Sequence, residues 1–421
     1  MNLTSSALAR RSLKALVRIS FSSSQPLKLL FLFVDAFMKR LFWLAGLMIF
    51  LSGTACAQEQ QEGGVLSLAD RVIDFFSGEI PLRRNEHPIQ WVVAPVVAYA
   101  PETSWQFGVG GKVLFRSKRA LESSRTSFVS FAVRYTLNNQ LFASPEYTIF
   151  SYDERYIQRG EVAYIQFPRL YYGIGNNSPA ENEELFSSTL FSVEHLAYRN
   201  VWDKLYAGLG FRYALTYNLE TLADGLLQAD NPVGIRDNQA VGWDLGLMFD
   251  NRDNVLSTTS GFLAEFRQRF HQKFLGSDFN YQVGVLDVRN YFKPFKNRRD
   301  IIASQVYGYF AFGDIPFTEL APLGGDMIMR GYYEGRYLDN LLMAVQTEYR
   351  VHIWKNLGAV GFVAVGDVAE DFQNFNIPNL KPSGGVGLRY TLIPEENLNI
   401  RVDAAFGKAT NNFYINISEA F

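Results

Sequence analysis

The sequence is poor in the residue types on which several classes of protein depend. Its 421 residues include one cysteine and four histidines, and 40 Lys and Arg nearly balance 42 Asp and Glu, giving a formal charge of -2. That balance provides no general electrostatic attraction to nucleic acid. Beyond the N-terminal region no run of 18 apolar residues occurs, which argues against a helical membrane protein. Aromatic residues, in contrast, are abundant at 15%.

The N-terminal region has the features of an export signal. Met38–Ala57 begins with two basic residues near its start, continues with an apolar run and ends in small residues, which is typical of a secretory signal peptide. We therefore expect the mature chain to begin near Gln58, and we interpret residues 1–37 as a mis-called start. Cys56 would leave with the signal, so that no thiol or disulfide remains. The alternative is a lipoprotein cysteine, although Gly53 stands where that motif has an aliphatic residue.

Residues 58–88 are predicted to form a periplasmic linker with one short amphipathic helix. Gln58–Gly64 is polar, and in Val65–Phe76 the apolar residues recur on one helical face. Such a helix could plug a barrel, lie on the periplasmic membrane surface or simply cover a barrel end.

Residues 89–421 divide into aromatic, glycine-containing stretches that polar turns separate. Stretches of this kind are typical of β-strands in consecutive hairpins. Their number, sixteen, is even, as is usual for bacterial outer-membrane barrels of one chain. The predicted strands are 90–100, 104–117, 124–137, 139–151, 156–167, 186–199, 203–217, 239–250, 261–273, 278–293, 300–312, 340–353, 357–367, 384–394, 397–407 and 411–421.

Polar and apolar residues alternate along these strands, most clearly near the C-terminus. In Met343–Ile353 the residues Gln346, Glu348 and Arg350 fall on one face, and apolar residues fall on the other. A soluble sandwich and a membrane barrel both alternate in this way, so the pattern alone does not separate them. The signal peptide, the aromatic content and the strand count favour an all-β, transmembrane antiparallel barrel of about sixteen strands.

Four short motifs occur along the chain in a characteristic order. Pro95–Gly108 (PVVAYAPETSWQFG) and Tyr171–Asn177 (YYGIGNN) precede Leu247–Asn254 (LMFDNRDN), and Gly324–Tyr332 (GGDMIMRGY) follows. In this order they resemble the bacterial surface antigen family, the BamA/TamA superfamily of sixteen-stranded outer-membrane barrels. The resemblance covers nearly all of residues 89–421 and places the last motif on a long loop between strands 11 and 12.

The resemblance implies that this loop folds into the barrel lumen. Carried over to this sequence, Arg330 is the buried cation, Gly331 lets the backbone turn and Tyr332 packs beside it. Glu348, on the polar face of the next strand, is then one acidic partner of Arg330.

The second acidic partner that the family would supply is missing from its usual place. The family's Phe-x-Asp-x-Gly pattern begins here at Phe362, and Ala364 replaces the aspartate. Asp367 is near but has the opposite parity, so it would need a bulge to face inward. We therefore expect Arg330 to use Glu348 or another acid.

The C-terminal residues resemble the insertion signal of outer-membrane barrels, with Phe421 as the terminal aromatic of the closing strand. Glu419 departs from that signal, which usually has an apolar residue there. We expect its charge to reach water at the membrane rim, and we expect Phe421 to act as an assembly signal read by the barrel assembly machinery.

Two functions remain open, and a third, that of a membrane enzyme, is disfavoured. The resemblance implies outer-membrane biogenesis, meaning insertion or translocation of proteins or lipids, whereas a structural or small-solute diffusion barrel is the alternative. Members that handle proteins carry periplasmic POTRA domains, and residues 58–88 are too few for one, so a separate periplasmic partner could replace them. No enzyme signature, cofactor motif or metal-ligand spacing is recognisable, and the expected surroundings are outer-membrane lipids.

Overall fold

A computed structural model describes residues 77–80, 89–100, 104–117, 124–137 and 139–421. The segments predicted as a mis-called start (residues 1–37), a signal peptide (Met38–Ala57) and an amphipathic helix (Val65–Phe76) all lie outside the described residues. Of the predicted linker, residues 58–88, only Ser77–Ile80 is described. These four residues form a strand that pairs with the start of the next strand. This strand was not predicted, because four residues are too few to show a period.

The described residues form one antiparallel sheet of eighteen strands and a separate two-stranded hairpin. The sheet strands are β1 (Ser77–Ile80), β2 (Ile89–Ala100), β3 (Ser104–Phe115), β4 (Ser127–Thr136), β5 (Leu141–Ala143), β6 (Glu146–Phe150), β7 (Tyr156–Tyr171), β8 (Glu184–Trp202), β9 (Leu205–Glu220), β10 (Asn238–Asp250), β11 (Gly261–His271), β12 (Tyr281–Phe292), β13 (Ile301–Gly313), β16 (Leu341–Trp354), β17 (Leu357–Ala369), β18 (Lys381–Ile393), β19 (Leu398–Gly407) and β20 (Thr410–Ile417), with β14 (Ala321–Leu323) and β15 (Tyr337–Asp339) forming the hairpin.

Helical structure is confined to single turns in the described part of the chain. The one α-helix there is α1 (Leu226–Asp230), and the 3₁₀ turns are Ala180–Asn182, Lys273–Leu275, Phe317–Glu319, Phe372–Asn374, Ile377–Asn379 and Pro394–Glu396. Among the residues described, no helix has the length and apolar composition needed to cross a membrane.

The predicted all-β, antiparallel fold is confirmed, and the difference in strand number has a local cause. The predicted strand 139–151 is divided into β5 and β6 by Ser144 and Pro145. Proline has no N–H to donate to a ladder and is found at interruptions of strands. With β1 added, sixteen predicted strands become eighteen.

The sheet has an apolar outer face and a charged inner face. On β10, Trp243, Leu245 and Leu247 are exposed whereas Asp244 is buried. On β16, Val345 is exposed, whereas the charged residues Glu348 and Arg350 on the other face are buried. A soluble sandwich buries its apolar face, so this arrangement is that of a membrane barrel, whose lipid-facing side is apolar and whose lumen is polar.

The wall of this barrel is continuous except at one place. Each sheet strand from β3 to β19 pairs on both sides, and β20 is bonded to β19. Among the described residues no ladder joins β20 to the first strands: β2 pairs with β3 and, through Ile89–Val92 only, with β1. We call the gap between β20 and the edge made by β1 and the rest of β2 the seam.

Candidate functional site: an inward loop beside an unpaired seam

Residues 314–340, which we call the long loop, connect β13 to β16 and contain the β14–β15 hairpin. Near its start, the Glu319 carboxylate accepts two hydrogen bonds from the Arg212 guanidinium of β9, at 2.8 and 2.9 Å. Burial alone would raise the pKa of Glu319, but the charge and hydrogen bonds of Arg212, together with the electrostatic contributions of His271 and Arg269, hold the pKa below its usual range. The loop therefore begins with a fixed attachment to the inner face of the wall.

The loop tip, Arg330–Tyr332, reaches the opposite part of the wall. The Arg330 guanidinium donates from Nη1 to Asp403 Oδ2 of β19 at 2.6 Å, and from Nη2 to Glu348 of β16. Its carbon atom lies 3.7 Å from the centre of the Phe362 ring. The residue is 1% exposed. Because the loop contacts both β9 and β19, the sheet must curl around it, and the loop lies in the lumen.

The two residues after Arg330 fix the backbone of the loop tip. Gly331 has φ = 110°, and a Cβ there would lie 2.7 Å from the carbonyl carbon of Phe406, so glycine is required both by the turn and by the close approach. Its N–H donates to the Tyr414 hydroxyl of β20 at 3.1 Å. The Tyr332 hydroxyl donates to the Pro382 carbonyl at 2.9 Å. The tip thus packs against the last strands of the sheet.

The structure brings Arg330 and Glu348 together and supplies a second acid that sequence reasoning did not assign. Asp403 was recognisable as a member of the polar face of its strand, but nothing local links it to a residue 73 positions earlier. Asp367 does not meet Arg330. It pairs with Lys381 at 2.9 Å, and the ladder around it shows no bulge. Ala364 remains a small wall residue beneath the loop.

Two further arginines connect these acids to one another. Arg350 Nε donates to Glu348 Oε2 at 2.8 Å, and Arg389 Nη1 donates to Asp403 Oδ1 at 2.5 Å. Both arginines also approach Glu419, whose carboxylate lies 2.7 Å from Arg389 Nε and 4.0 Å from Arg350 Nε. We call this set of six the ionic ring: Arg330, Glu348, Arg350, Glu419, Arg389 and Asp403. Arg401 of β19 adjoins it, because its guanidinium lies 3.1 Å from Asp403 Oδ2 and 3.2 Å from Asp326 Oδ2.

The last four residues do not continue the closing strand, contrary to the predicted strand 411–421. β20 ends at Ile417, and Ser418 takes φ = 92°. Glu419 is buried in the ionic ring, so the expectation that its charge reaches water at the rim is wrong. Phe421 is 6% exposed and packs with Tyr291 and Ala303 of β12 and β13. The chain therefore turns inward at its end, because these side chains find charged and aromatic partners in the lumen.

Side chains bridge the seam where backbone pairing is absent. Lys112 Nζ of β3 donates to Ser418 Oγ at 3.3 Å. Close by, Val92 of β2 and Leu398 of β19 belong to one buried apolar cluster that includes Leu256, from the turn between β10 and β11. The seam is consequently held at this end by packing, by this hydrogen bond and by an ion pair at 3.3 Å between Arg116, just after β3, and Glu396, between β18 and β19.

The described histidines form no common site. His195 Nδ1 lies 2.6 Å from the Tyr147 hydroxyl, the His271 ring stacks on Tyr281, and His352 Nε2 lies 2.7 Å from the Lys355 carbonyl oxygen. Within the described ranges no cluster of His, Cys, Asp and Glu could hold a metal ion.

The comparisons with known proteins agree with this geometry. The family model described as the Omp85 superfamily domain matches residues 205–421, just over half of the chain. The chain belongs to the Omp85 superfamily. This confirms the resemblance to BamA/TamA-type barrels, and membership of this superfamily implies an outer-membrane location. No curated protein matches the chain.

Among solved structures, the Omp85 chain resembles BamA from Haemophilus ducreyi lacking POTRA domains 1–3. The two share a TM-score of 0.52 and 14% sequence identity, over 85% of this chain and 79% of the other. At that identity the likeness concerns the fold.

Proposed function

We propose that this Omp85 barrel acts without enzymatic chemistry in outer-membrane biogenesis, by admitting protein strands or lipids through the seam. One observation carries the proposal: in the described residues no ladder joins β20 to β2. Unpaired backbone groups facing lipid cost several kcal/mol each. An edge of this kind is therefore a template on which an added strand gains hydrogen bonds.

The alternative, a barrel that conducts small solutes, fits the lumen less well. The long loop is attached to β9 through Glu319 and to β16 and β19 through Arg330. It therefore crosses the space through which a solute would pass. The partners that we propose are outer-membrane lipids, the assembly machinery during insertion of this chain, and a separate periplasmic protein.

Locking the seam tests the proposal. In a Cys56→Ser background we would pair Val93→Cys of β2 with Phe413→Cys or Ile415→Cys of β20 and select the pair that oxidises. A matched control is Val386→Cys with Ala404→Cys, because these residues are already partners in the β18–β19 ladder. A disulfide requires Cα atoms within about 7 Å, so oxidation of either seam pair also reports the width of the gap.

The readout is the rate at which an added eight-stranded outer-membrane protein folds into liposomes that contain the barrel. We expect the oxidised seam pair to reduce this rate to that of protein-free liposomes, with recovery on reduction, and the control pair to change nothing. A different result would replace the proposed function by the diffusion function. In that case the added protein folds no faster with the unlocked barrel than in protein-free liposomes, and the barrel conducts ions in a planar bilayer with or without the lock.

A further inference from the structure

The loop tip and the last residues of the chain contact the same charged groups. Starting from Arg330, the ionic ring passes through Glu348 and Arg350 to Glu419, and returns through Arg389 and Asp403. All six residues are less than 10% exposed. Three of them are cations and three are anions, in strict alternation.

The end of the chain has additional attachments beside the ionic ring. The Asn399 side chain donates to Glu419 Oε1 at 2.8 Å. Arg350 Nη2 donates to a main-chain oxygen of Phe421 at 2.9 Å, and the Arg350 guanidinium lies 5.6 Å from the centre of the Phe421 ring. The segment is therefore held by its own side chains, and the first of its residues, Ser418, accepts a hydrogen bond from Lys112 across the seam.

Alternation of charge makes the two attachments depend on each other. Without Arg330, the ring has three anions and two cations, since the charge of the adjoining Arg401 is matched by Asp326. Glu419 then experiences the uncompensated charge of Glu348. Without Glu419, three cations of the ring face two anions, and Arg330 loses part of the electrostatic attraction that holds it in the ring. Removing one partner of a buried ion pair is costly because it leaves a buried charge uncompensated.

We propose that Ser418–Phe421 is a latch whose position is coupled to that of the loop tip, with Glu419 as the positioning residue. When the loop tip occupies the ionic ring, the latch is held in the lumen and the end of β20 is fixed. When the loop tip withdraws, the latch is released, and the hydrogen bond from Lys112 to Ser418 is lost with it. The coupling itself does not depend on the proposed function, whereas its consequence for opening of the seam does.

Two cysteine reporters measure the two positions separately. Ala420, 1% exposed, reports the latch, and Met329, fully buried, reports the loop tip. Each is replaced by cysteine in a Cys56→Ser background, and the folded protein in liposomes reacts with a water-soluble maleimide. Arg330→Gln should accelerate labelling of Ala420→Cys, and Glu419→Gln should accelerate labelling of Met329→Cys, each by about tenfold.

A matched control is Arg267→Gln. Arg267 is also a lumen arginine and pairs with Glu194 at 2.9 Å, outside the ionic ring. It should leave both labelling rates within about twofold of their starting values. The double variant Arg330→Gln/Glu419→Gln restores equal numbers of cations and anions, so its effects should be smaller than the product of the single effects.

Labelling of Ala420→Cys that is already fast in the starting protein, or that Arg330→Gln leaves unchanged, would overturn the proposal. If Arg330→Gln does not fold, Arg330→Lys keeps the charge but loses the second hydrogen bond, and it should give intermediate acceleration. Coupling with no effect on assembly of the added barrel protein would contradict only the proposed function. Assembly without coupling would contradict only the latch.

Discussion

The wall and the seam of this barrel are held together by different kinds of interaction. In the wall, every residue of β7 has a partner in β8, and the ladders continue without a gap to β20. At the seam, Lys112 meets Ser418 and a small apolar cluster joins the first and last strands. Backbone hydrogen bonds can be made by every residue type except proline as donor, whereas the seam depends on a few named residues. Sequence changes can therefore alter the seam without changing the fold.

The largest expected effect comes from proline. Leu245 of β10 has ladder partners in both β9 and β11, so Leu245→Pro removes a wall hydrogen bond and should abolish folding. On β20 the N–H groups alternate between β19 and the seam. Of Asn412→Pro and Phe413→Pro, one should therefore fold. Heat-modifiable migration of the folded protein measures this, with alanine at each position as control, and loss of both variants would show that β20 is bonded on both sides.

The next effect is expected at the loop tip. Arg330→Ala leaves Glu348 and Asp403 buried without their shared cation, which should cost about 3–5 kcal/mol of unfolding free energy. A double-mutant cycle with Glu348→Gln should give a coupling of roughly 0.5–3 kcal/mol. Additive effects on thermal stability would mean that the two side chains do not interact in the membrane.

Phe421 combines two roles that can be measured separately, as a buried packing residue and as the predicted assembly signal. As a buried aromatic residue its replacement by alanine should cost about 3 kcal/mol, and as an assembly signal its loss should also lower the yield of folded barrel in cells. Refolding of purified Phe421→Ala into liposomes, without assembly machinery, isolates the first role. A yield that falls in cells but not in liposomes supports the signal, and unchanged yields in both would contradict it.

The smallest effect is expected from Leu256, which touches the seam from a distant turn. Leu256→Ala should cost about 2 kcal/mol and should accelerate oxidation of the seam cysteine pair, because the apolar cluster loses one of its buried members. Leu209→Ala, on the exposed outer face of β9, serves as control. Equal oxidation rates in both variants would remove Leu256 from the interactions that hold the seam.

How much of the fold and of the site could be predicted from the sequence depends on how far apart along the chain the interacting residues lie. The strands follow from period-two alternation and turn residues, and the break at Pro145 could have been read from the missing N–H. The pair of Arg330 with Glu348 followed from the family motif. Asp403 and Glu419 could not be assigned, because their partners are distant in sequence. Nothing local indicates that the chain leaves the sheet after Ile417, where the choice between rim and lumen depends on charges on β16, β18, β19 and the long loop.

The short strand β1 limits how a strand can be added at the seam. It covers Ile89–Val92 and leaves Val93–Ala100 as the free part of the β2 edge. Eight residues in extended conformation span about 27 Å, and a strand that crosses a bilayer at a tilt needs about 9–11 residues. An incoming strand of full length therefore cannot register along all of β2 while β1 stays in place. In the proposed function, pairing of an added strand would therefore begin at the Ala100 end of β2 and be completed only when β1 detaches, so that insertion would proceed in one direction.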